Sequence, residues 1–236
     1  MSKQYRIVAL LLCAVMLLSL LPGVAAAAPA RRTMGDELPI IPINPDDPKP
    51  TNPFTDVVPR TFYYDAVLWA VGKKITNGMT PTTFEPEGPC TRGQVVTFLW
   101  RTRGSPGPNA TSNPFVDVPY GKFYTEAVLW AARYGITTGM TATTFEPDGL
   151  CTRGQVVTFL WRAKGRPSSG IIAGNDELPV VSGSTFTDVV RGSYYEQAVN
   201  WAVTAGVTKG MTDTTFCPDL TCTRAHVVTF LYRAFG

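Results

Sequence analysis

The sequence predicts an all-α fold made of three tandem two-helix repeats. Three stretches of 51 residues align without a gap, at 54–104, 115–165 and 186–236. The first two are identical at 34 of 51 positions, so they should share one fold. Each stretch contains two segments whose apolar residues recur with the period of a helix. A single repeat would expose too much apolar surface to be stable, whereas three repeats can close a shared core.

The first helix of each repeat is predicted from one apolar face, and in the first repeat this helix should span about 62–72. The face consists of Phe62, Ala66, Trp69 and Ala70. Gly135 and Gly206 follow the same helix in the second and third repeats and predict a left-handed C-cap. The first repeat has Lys74 at this place, so its helix is expected to end differently.

The second helix of each repeat is predicted to begin at a threonine, which is Thr91, Thr152 or Thr223. Gln94 and Gln155 stand three residues after the first two threonines, which is the spacing of a capping box. The run Val-Val-Thr-Phe-Leu follows in all three repeats. Its apolar positions cover much of the helix circumference, so each such helix should be buried on several sides. The three together are expected to form a central helix bundle.

The first 28 residues have the pattern of a secretory signal peptide. Lys3 and Arg6 precede an apolar run at 7–21, and small residues at 25–28 offer cleavage sites. The run is shorter than the roughly 20 residues that a membrane span needs, although an uncleaved N-terminal anchor is the alternative. We therefore expect an exported protein with no stable membrane span after cleavage.

The remaining segments are predicted to be linkers, and the net charge is small. Residues 29–53 carry seven prolines, and shorter connectors lie at 105–114 and 166–185. Loss of Lys3 and Arg6 with the signal would leave 19 basic and 18 acidic residues. Such a balance provides no basic field for a nucleic-acid partner.

The composition argues against an enzyme. The single histidine, His226, excludes a histidine metal cluster and a repeated acid/base histidine. No nucleophile, base and orienting group can be assembled in each repeat, and no glycine-rich phosphate loop follows a strand. We therefore expect a binding or structural protein with no catalytic residue, cofactor or metal.

Several positions are the same in all three repeats and are the candidates for function. They are Asp56, Asp117 and Asp188; Trp69, Trp130 and Trp201; and Arg92, Arg153 and Arg224. The arginines lie in the first turn of a helix, where a cation is unfavourable and an anion is favoured, so their retention suggests a role beyond helix stability. A guanidinium could pair with a ligand carboxylate; the alternative is an internal salt bridge to the aspartates.

The tryptophans and aspartates also allow two interpretations. The indole rings could stack on sugars, but their spacing with small alanines suits core packing as well. The aspartates precede a helix, so loop bracing is favoured over binding to sugar hydroxyls. The Gly78-Met79-Thr80 loop and its counterparts should shape a turn and could also line a groove.

The cysteines are expected to act mainly as small buried apolar residues. Cys90, Cys151 and Cys222 are repeat equivalents, and Cys13 leaves with the signal. Cys217 has no counterpart and precedes Cys222 by five residues, so an extracellular disulfide between these two is one alternative.

Five motifs follow one another in each repeat, and together they resemble the S-layer homology repeat. They are Phe-x-Asp-Val, Tyr-x-x-Ala-Val-x-Trp-Ala, Ile/Val-Thr-x-Gly, Phe-x-Pro and Thr-Arg-Gly/Ala. The resemblance implies a monomeric, spindle-like module of pseudo-threefold symmetry. It also implies non-covalent attachment to the cell wall of a Gram-positive-type bacterium. The implied partner is an anionic secondary cell-wall polysaccharide, often pyruvylated, bound in grooves between repeats. The family signature Thr-Arg-Ala-Glu lacks its glutamate in every copy here.

Two functions from different classes follow. The first is a wall-polymer-binding module at the cell surface, in which the arginines, tryptophans and aspartates contact the glycan. The alternative is a structural envelope protein whose repeats mediate protein–protein contacts without binding glycan.

Overall fold

The computed structural model describes residues 51–110, 112–167 and 186–236. The predicted signal peptide, most of the 29–53 segment and most of the 166–185 segment lie outside the described residues. Within the described ranges the regular structure is helical, with isolated β-bridges between loops, which confirms the all-α class. The helices are α1 (Tyr64–Gly72), α2 (Arg92–Thr102), α3 (Thr125–Arg133), α4 (Arg153–Ala163), α5 (Glu196–Thr204) and α6 (Arg224–Phe235).

In the first repeat, the first helix begins later than the apolar pattern predicted. α1 begins at Tyr64, and Phe62 lies before it with 55% of its surface exposed. The buried face of α1 is formed by Ala66, Val67, Leu68 and Ala70. The prediction that Phe62 belongs to this face was therefore wrong. The position of Phe62 matches the helical spacing, but the residue lies in the turn that precedes α1.

All three first helices end in the same way, which corrects the expectation for the first repeat. Gly135 and Gly206 have φ of 65° and 70°, and Lys74 has φ of 57° at the equivalent position. The amide of Lys74 donates to the carbonyl of Val71, as the amide of Gly135 does to that of Ala132. The surrounding fold thus imposes a left-handed conformation that a non-glycine residue adopts at a cost.

The second helices form the centre of the molecule, as the sequence predicted. Thr91 and Thr152 cap α2 and α4, and both capping boxes with Gln94 and Gln155 are present. The Val-Val-Thr-Phe-Leu run is buried in α2, α4 and α6. These three helices contact one another, so the three repeats share one hydrophobic core.

Each first helix packs on the second helix of another repeat. α3 packs on α2, α5 packs on α4, and α1 packs on α6. Within the described ranges, no helix–helix contact joins α1 to α2, α3 to α4 or α5 to α6. The repeats therefore interlock, and the contact of α1 with α6 joins the first repeat to the third.

The segments before the central helices are joined by a ring of backbone hydrogen bonds. The amide of Cys90 donates to the carbonyl of Cys222, that of Cys222 to Cys151, and that of Cys151 to Cys90, at 2.8–3.0 Å. All three side chains are fully buried. Each repeat thus supplies backbone partners that the other two require. No helix in the described part of the chain is both long and apolar enough to cross a membrane.

Candidate functional site

A groove opens where the third repeat meets the first and second. We call it the third groove. It encloses a cavity of about 320 Å³, and its lining includes Phe62, Arg153, Lys209, Met211, His226 and Arg233. Phe62 comes from the turn before α1, Arg153 from α4, and the others from the third repeat. The ring of Phe62 lies 5.2 Å from that of His226, which closes the groove across the repeat boundary.

Equivalent side chains meet at the other two repeat boundaries. In the first repeat Gln94 donates to the sulfur of Met79, and in the second Gln155 donates to that of Met140, at 3.6 Å in the latter case. Tyr194, the counterpart of Phe62, forms a side-chain hydrogen bond with Thr152. We call the surface around Met79 and Gln94 the first groove, and that around Met140 and Gln155 the second groove.

The repeated arginines are buried at these boundaries and hold neighbouring repeats together. Their side chains are 1–3% exposed. Each Nε donates to a phenylalanine carbonyl of another repeat: Arg92 to Phe145, Arg153 to Phe216 and Arg224 to Phe84, at 2.8–2.9 Å. Each guanidinium also lies over two phenylalanine rings, as Arg153 does over Phe216 and Phe230 at 4.8 and 5.3 Å. Burial lowers the pKa of all three.

The repeated aspartates connect to those arginines through one peptide group. Asp117 accepts hydrogen bonds from the amides of Phe145 and Glu146, at 2.7–3.1 Å. The carbonyl of Phe145 in turn accepts from Arg92. Asp56 and Asp188 brace the equivalent loops in the same way. Asp117 and Arg92 thus both hydrogen-bond to the backbone of Phe145, one at its amide and the other at its carbonyl, and do not form a direct ion pair.

The helix N-termini that carry the arginines have their backbone donors occupied. The amides of Arg92 and Gly93 donate to the carbonyls of Gly149 and Pro147 in the second repeat, both at 2.8 Å. The amide of Gln94 donates to Thr91. Because these donors already have protein acceptors, the expected anion-binding character of the free helix end does not apply to α2. α4 and α6 follow the same pattern.

The guanidinium of Arg153 still has an unused donor. Among the described residues, Nη2 of Arg153 is buried without a hydrogen-bond partner, and so is Nη2 of Arg224. Arg153 lines the third groove, so a fixed positive charge stands at its wall. A buried guanidinium without a paired carboxylate attracts an anion more strongly than an exposed one.

The repeated tryptophans differ in their exposure. Trp130 and Trp201 are 0% and 6% exposed, so their rings pack in the core. Trp69 is half-buried and packs against Tyr232, with ring centroids 5.5 Å apart. The structure therefore places two of the three indoles where core packing accounts for them.

The four described cysteines are free thiols. The disulfide that the spacing of Cys217 and Cys222 allowed is not formed in this structure. Burial raises the pKa of Cys90 and Cys222 to about 12 and also raises that of Cys151. These three thiols are therefore protonated and unreactive, as small apolar residues would be. No cluster of metal-ligating side chains occurs among the residues that the structure describes.

Two contributors to the grooves were not predicted from the sequence. The aromatic residues before each first helix, Phe62, Phe123 and Tyr194, are 54–59% exposed. Their retention in all three repeats was a usable signal. Lys209 stands where the other repeats have Asn77 and Thr138, so this departure from the repeat pattern was also visible. The sequence left open that the Gly78-Met79-Thr80 loop and its counterparts line a groove. Met211, the counterpart of Met79, does line the third groove.

The described residues thus form an all-α module of interlocked repeats, with a groove where the third repeat meets the first and second. The chain belongs to the S-layer homology domain family, which matches residues 53–96, 114–157 and 185–228, more than half of its length. Domains of this family attach proteins to the bacterial cell wall, and association with the cell surface is the general function that membership assigns.

A curated relative is similar to part of the chain. It is named "Cell surface protein" and comes from Thermoanaerobacter kivui. The two are 30% identical over 119 residues, which is 49% of this chain. The matched region covers only 16% of the relative, so most of that protein has no counterpart in the alignment.

Proposed function

We propose that the protein attaches non-covalently to the bacterial cell wall by binding an anionic secondary cell-wall polysaccharide in the grooves between repeats. The third groove carries this proposal. It combines an apolar wall with Arg153, Lys209 and Arg233, and no carboxylate lines it among the described residues. Sugar rings present apolar faces and hydroxyls, and a ketal-linked pyruvate would supply the carboxylate that such cations favour.

The arginines and aspartates would then act in two ways. Arg153 faces the groove and would attract the ligand's carboxylate. Asp188 and the backbone of Phe216 hold Arg153 in place, so the aspartate would position the site without touching the glycan. Trp69 is the repeated tryptophan that is only partly buried, and it is the one we propose for sugar contact.

Sedimentation with isolated walls tests this function. The protein should co-sediment with wall fragments that retain their secondary polymer and stay in solution when that polymer has been removed. Replacing Phe62, Phe123 and Tyr194 together with alanine should weaken sedimentation without unfolding the protein, because all three rings are exposed. Val116→Ala is the control, since this side chain is 83% exposed and lines neither the third groove nor the cavity that contains Phe123. Binding that survives polymer removal would instead support protein–protein attachment without glycan.

A further inference from the structure

The third groove differs from the other two at two positions, of which one adds a constant positive charge and the other can gain one on protonation. Lys209 stands where the first two repeats have Asn77 and Thr138, and His226 stands where they have Gln94 and Gln155. Both residues line the same cavity, together with Arg153 and Arg233. The counterparts of these two arginines, such as Arg224 and Arg101 in the first groove, are present at every boundary. At these two positions, a side chain that is or can become cationic occurs only in the third repeat.

We propose that the third groove selects more strongly anionic ligands than the other two, with Lys209 and His226 as the residues that set this preference. The inference deepens the proposed function and rests on it, because it assumes that the grooves are ligand sites. Lys209 supplies a constant charge, whereas His226 supplies one that depends on pH.

The surroundings of His226 determine whether its ring is neutral or protonated when a ligand binds. Burial lowers its pKa, and the nearby Arg153 and Arg233 lower it further, while Glu87 of the first repeat acts in the opposite direction. Lys209 shares the groove, and the ring of His226 contacts Phe62, Phe230 and Thr223. The ring is therefore neutral at pH 7 and becomes a cation as the pH falls below the usual histidine range. An anion bound beside it stabilises the cation and so raises its pKa.

The sign of the pH effect follows from this linkage. Acidification favours the protonated form of His226, so an anion of constant charge should bind the third groove more tightly as the pH falls from 7.5 towards 5. A rise of one unit in the pKa of His226 on binding corresponds to a tenfold gain in affinity at low pH. The first and second grooves have glutamine at this position and should show no such gain.

The protein carries its own reporters for this test. His226 is the only histidine in the chain, so its ring gives one NMR titration curve. Met79, Met140 and Met211 mark the first, second and third grooves, and each is 44–47% exposed. Methyl-labelled methionine thus follows binding at each boundary separately. The probe is sulfate, which keeps its charge between pH 5 and 7.5 and contains no sugar.

Sulfate should perturb the methyl group of Met211 at about tenfold lower concentration than those of Met79 and Met140 at pH 5, and it should raise the pKa of His226. His226→Gln should remove the pH dependence, and Lys209→Asn should reduce the preference at pH 7.5. Both variants install residues of the first repeat, and the melting temperature confirms that they fold. Gln155→His should give the second groove a pH response. Equal midpoints at the three methionines, or an unchanged pKa of His226, would overturn the proposal.

A second titration separates this inference from the proposed function. A neutral methyl hexoside and its pyruvyl ketal are added to the same labelled protein. If sulfate prefers the third groove but neither glycoside shifts any methionine, the charge preference stands and glycan binding fails. If the ketal binds all three grooves equally and sulfate shows no preference, glycan binding stands and the charge preference fails.

Discussion

At the scale of single residues, the repeated arginine and aspartate are explained by one shared connection. Asp117 fixes the amide of Phe145, and Arg92 fixes the carbonyl of the same residue. Each carboxylate therefore orients the loop that the arginine of another repeat must reach. Neither of the two roles considered from the sequence describes this arrangement fully, because both assumed a direct ionic partner for the guanidinium.

Replacing Arg92 with lysine tests this connection. Lysine keeps the charge but lacks Nε and the planar group that lies over Phe145 and Phe159. We expect a loss of about 1.5–3 kcal/mol in the free energy of unfolding, the range for hydrogen bonds to charged groups. Chemical denaturation and wall sedimentation should be measured on the same variant, with the exposed Arg60→Lys as control. Unchanged stability with lost wall binding would show that Arg92 contacts the ligand directly.

At the scale of helices, the ends of the three first helices show how a repeat tolerates a local mismatch. Lys74, Gly135 and Gly206 have the same left-handed backbone, although only glycine adopts it without strain. The hydrogen bonds that follow are also shared: the amides of Ile75 and Ile136 donate to Ala70 and Ala131 at 2.8 Å. The helix end is therefore set by its surroundings and not by the residue that occupies it.

Lys74→Gly should stabilise the protein by about 1 kcal/mol, because it relieves the strained conformation. Gly135→Lys is the reciprocal variant and should destabilise it by a similar amount. Thermal unfolding of the two variants beside the parent measures both effects. If Lys74→Gly lowered the melting temperature, contacts of the lysine side chain would have to outweigh the backbone strain.

At the scale of the whole molecule, the packing of α1 on α6 makes the first and third repeats depend on each other. Loss of the third repeat would uncover α1, break the backbone ring at Cys90 and remove the carbonyl of Phe216 that accepts from Arg153. Stability therefore resides in the closed set of three repeats, and a linear array of independent units is a poor description of it.

A chain truncated after residue 167 should fail to unfold cooperatively, because the partners that the third repeat supplies to α1 and α4 are missing. Circular dichroism during heating, with dye binding to exposed apolar surface, provides the measurement. The matched control is a circular permutant that opens the 168–185 segment and joins residue 236 to residue 51 through a flexible linker. It preserves the contacts among the described residues and should melt as the parent does. Cooperative melting of the truncated chain near the parent temperature would refute interdependence.

The sequence by itself determined the repeats, the helical class, the capping boxes and the central position of the Val-Val-Thr-Phe-Leu helices. These features depend on local periodicity and on apolar content, which are legible along the chain. It also singled out Arg153 and Asp188 as residues that every repeat retains.

Only the tertiary structure decided which repeat each residue serves. Arg153 belongs to the second repeat but lines the third groove, and Phe62 reaches the same groove from the first. The burial of Trp130 and the occupied donors at Arg92 also depend on neighbouring repeats. The physical reason is that the repeats interlock. The carbonyl partners of the repeated arginines therefore lie 53 to 140 residues away along the chain. Spacing along the chain carries no information about such partners until the fold brings them together.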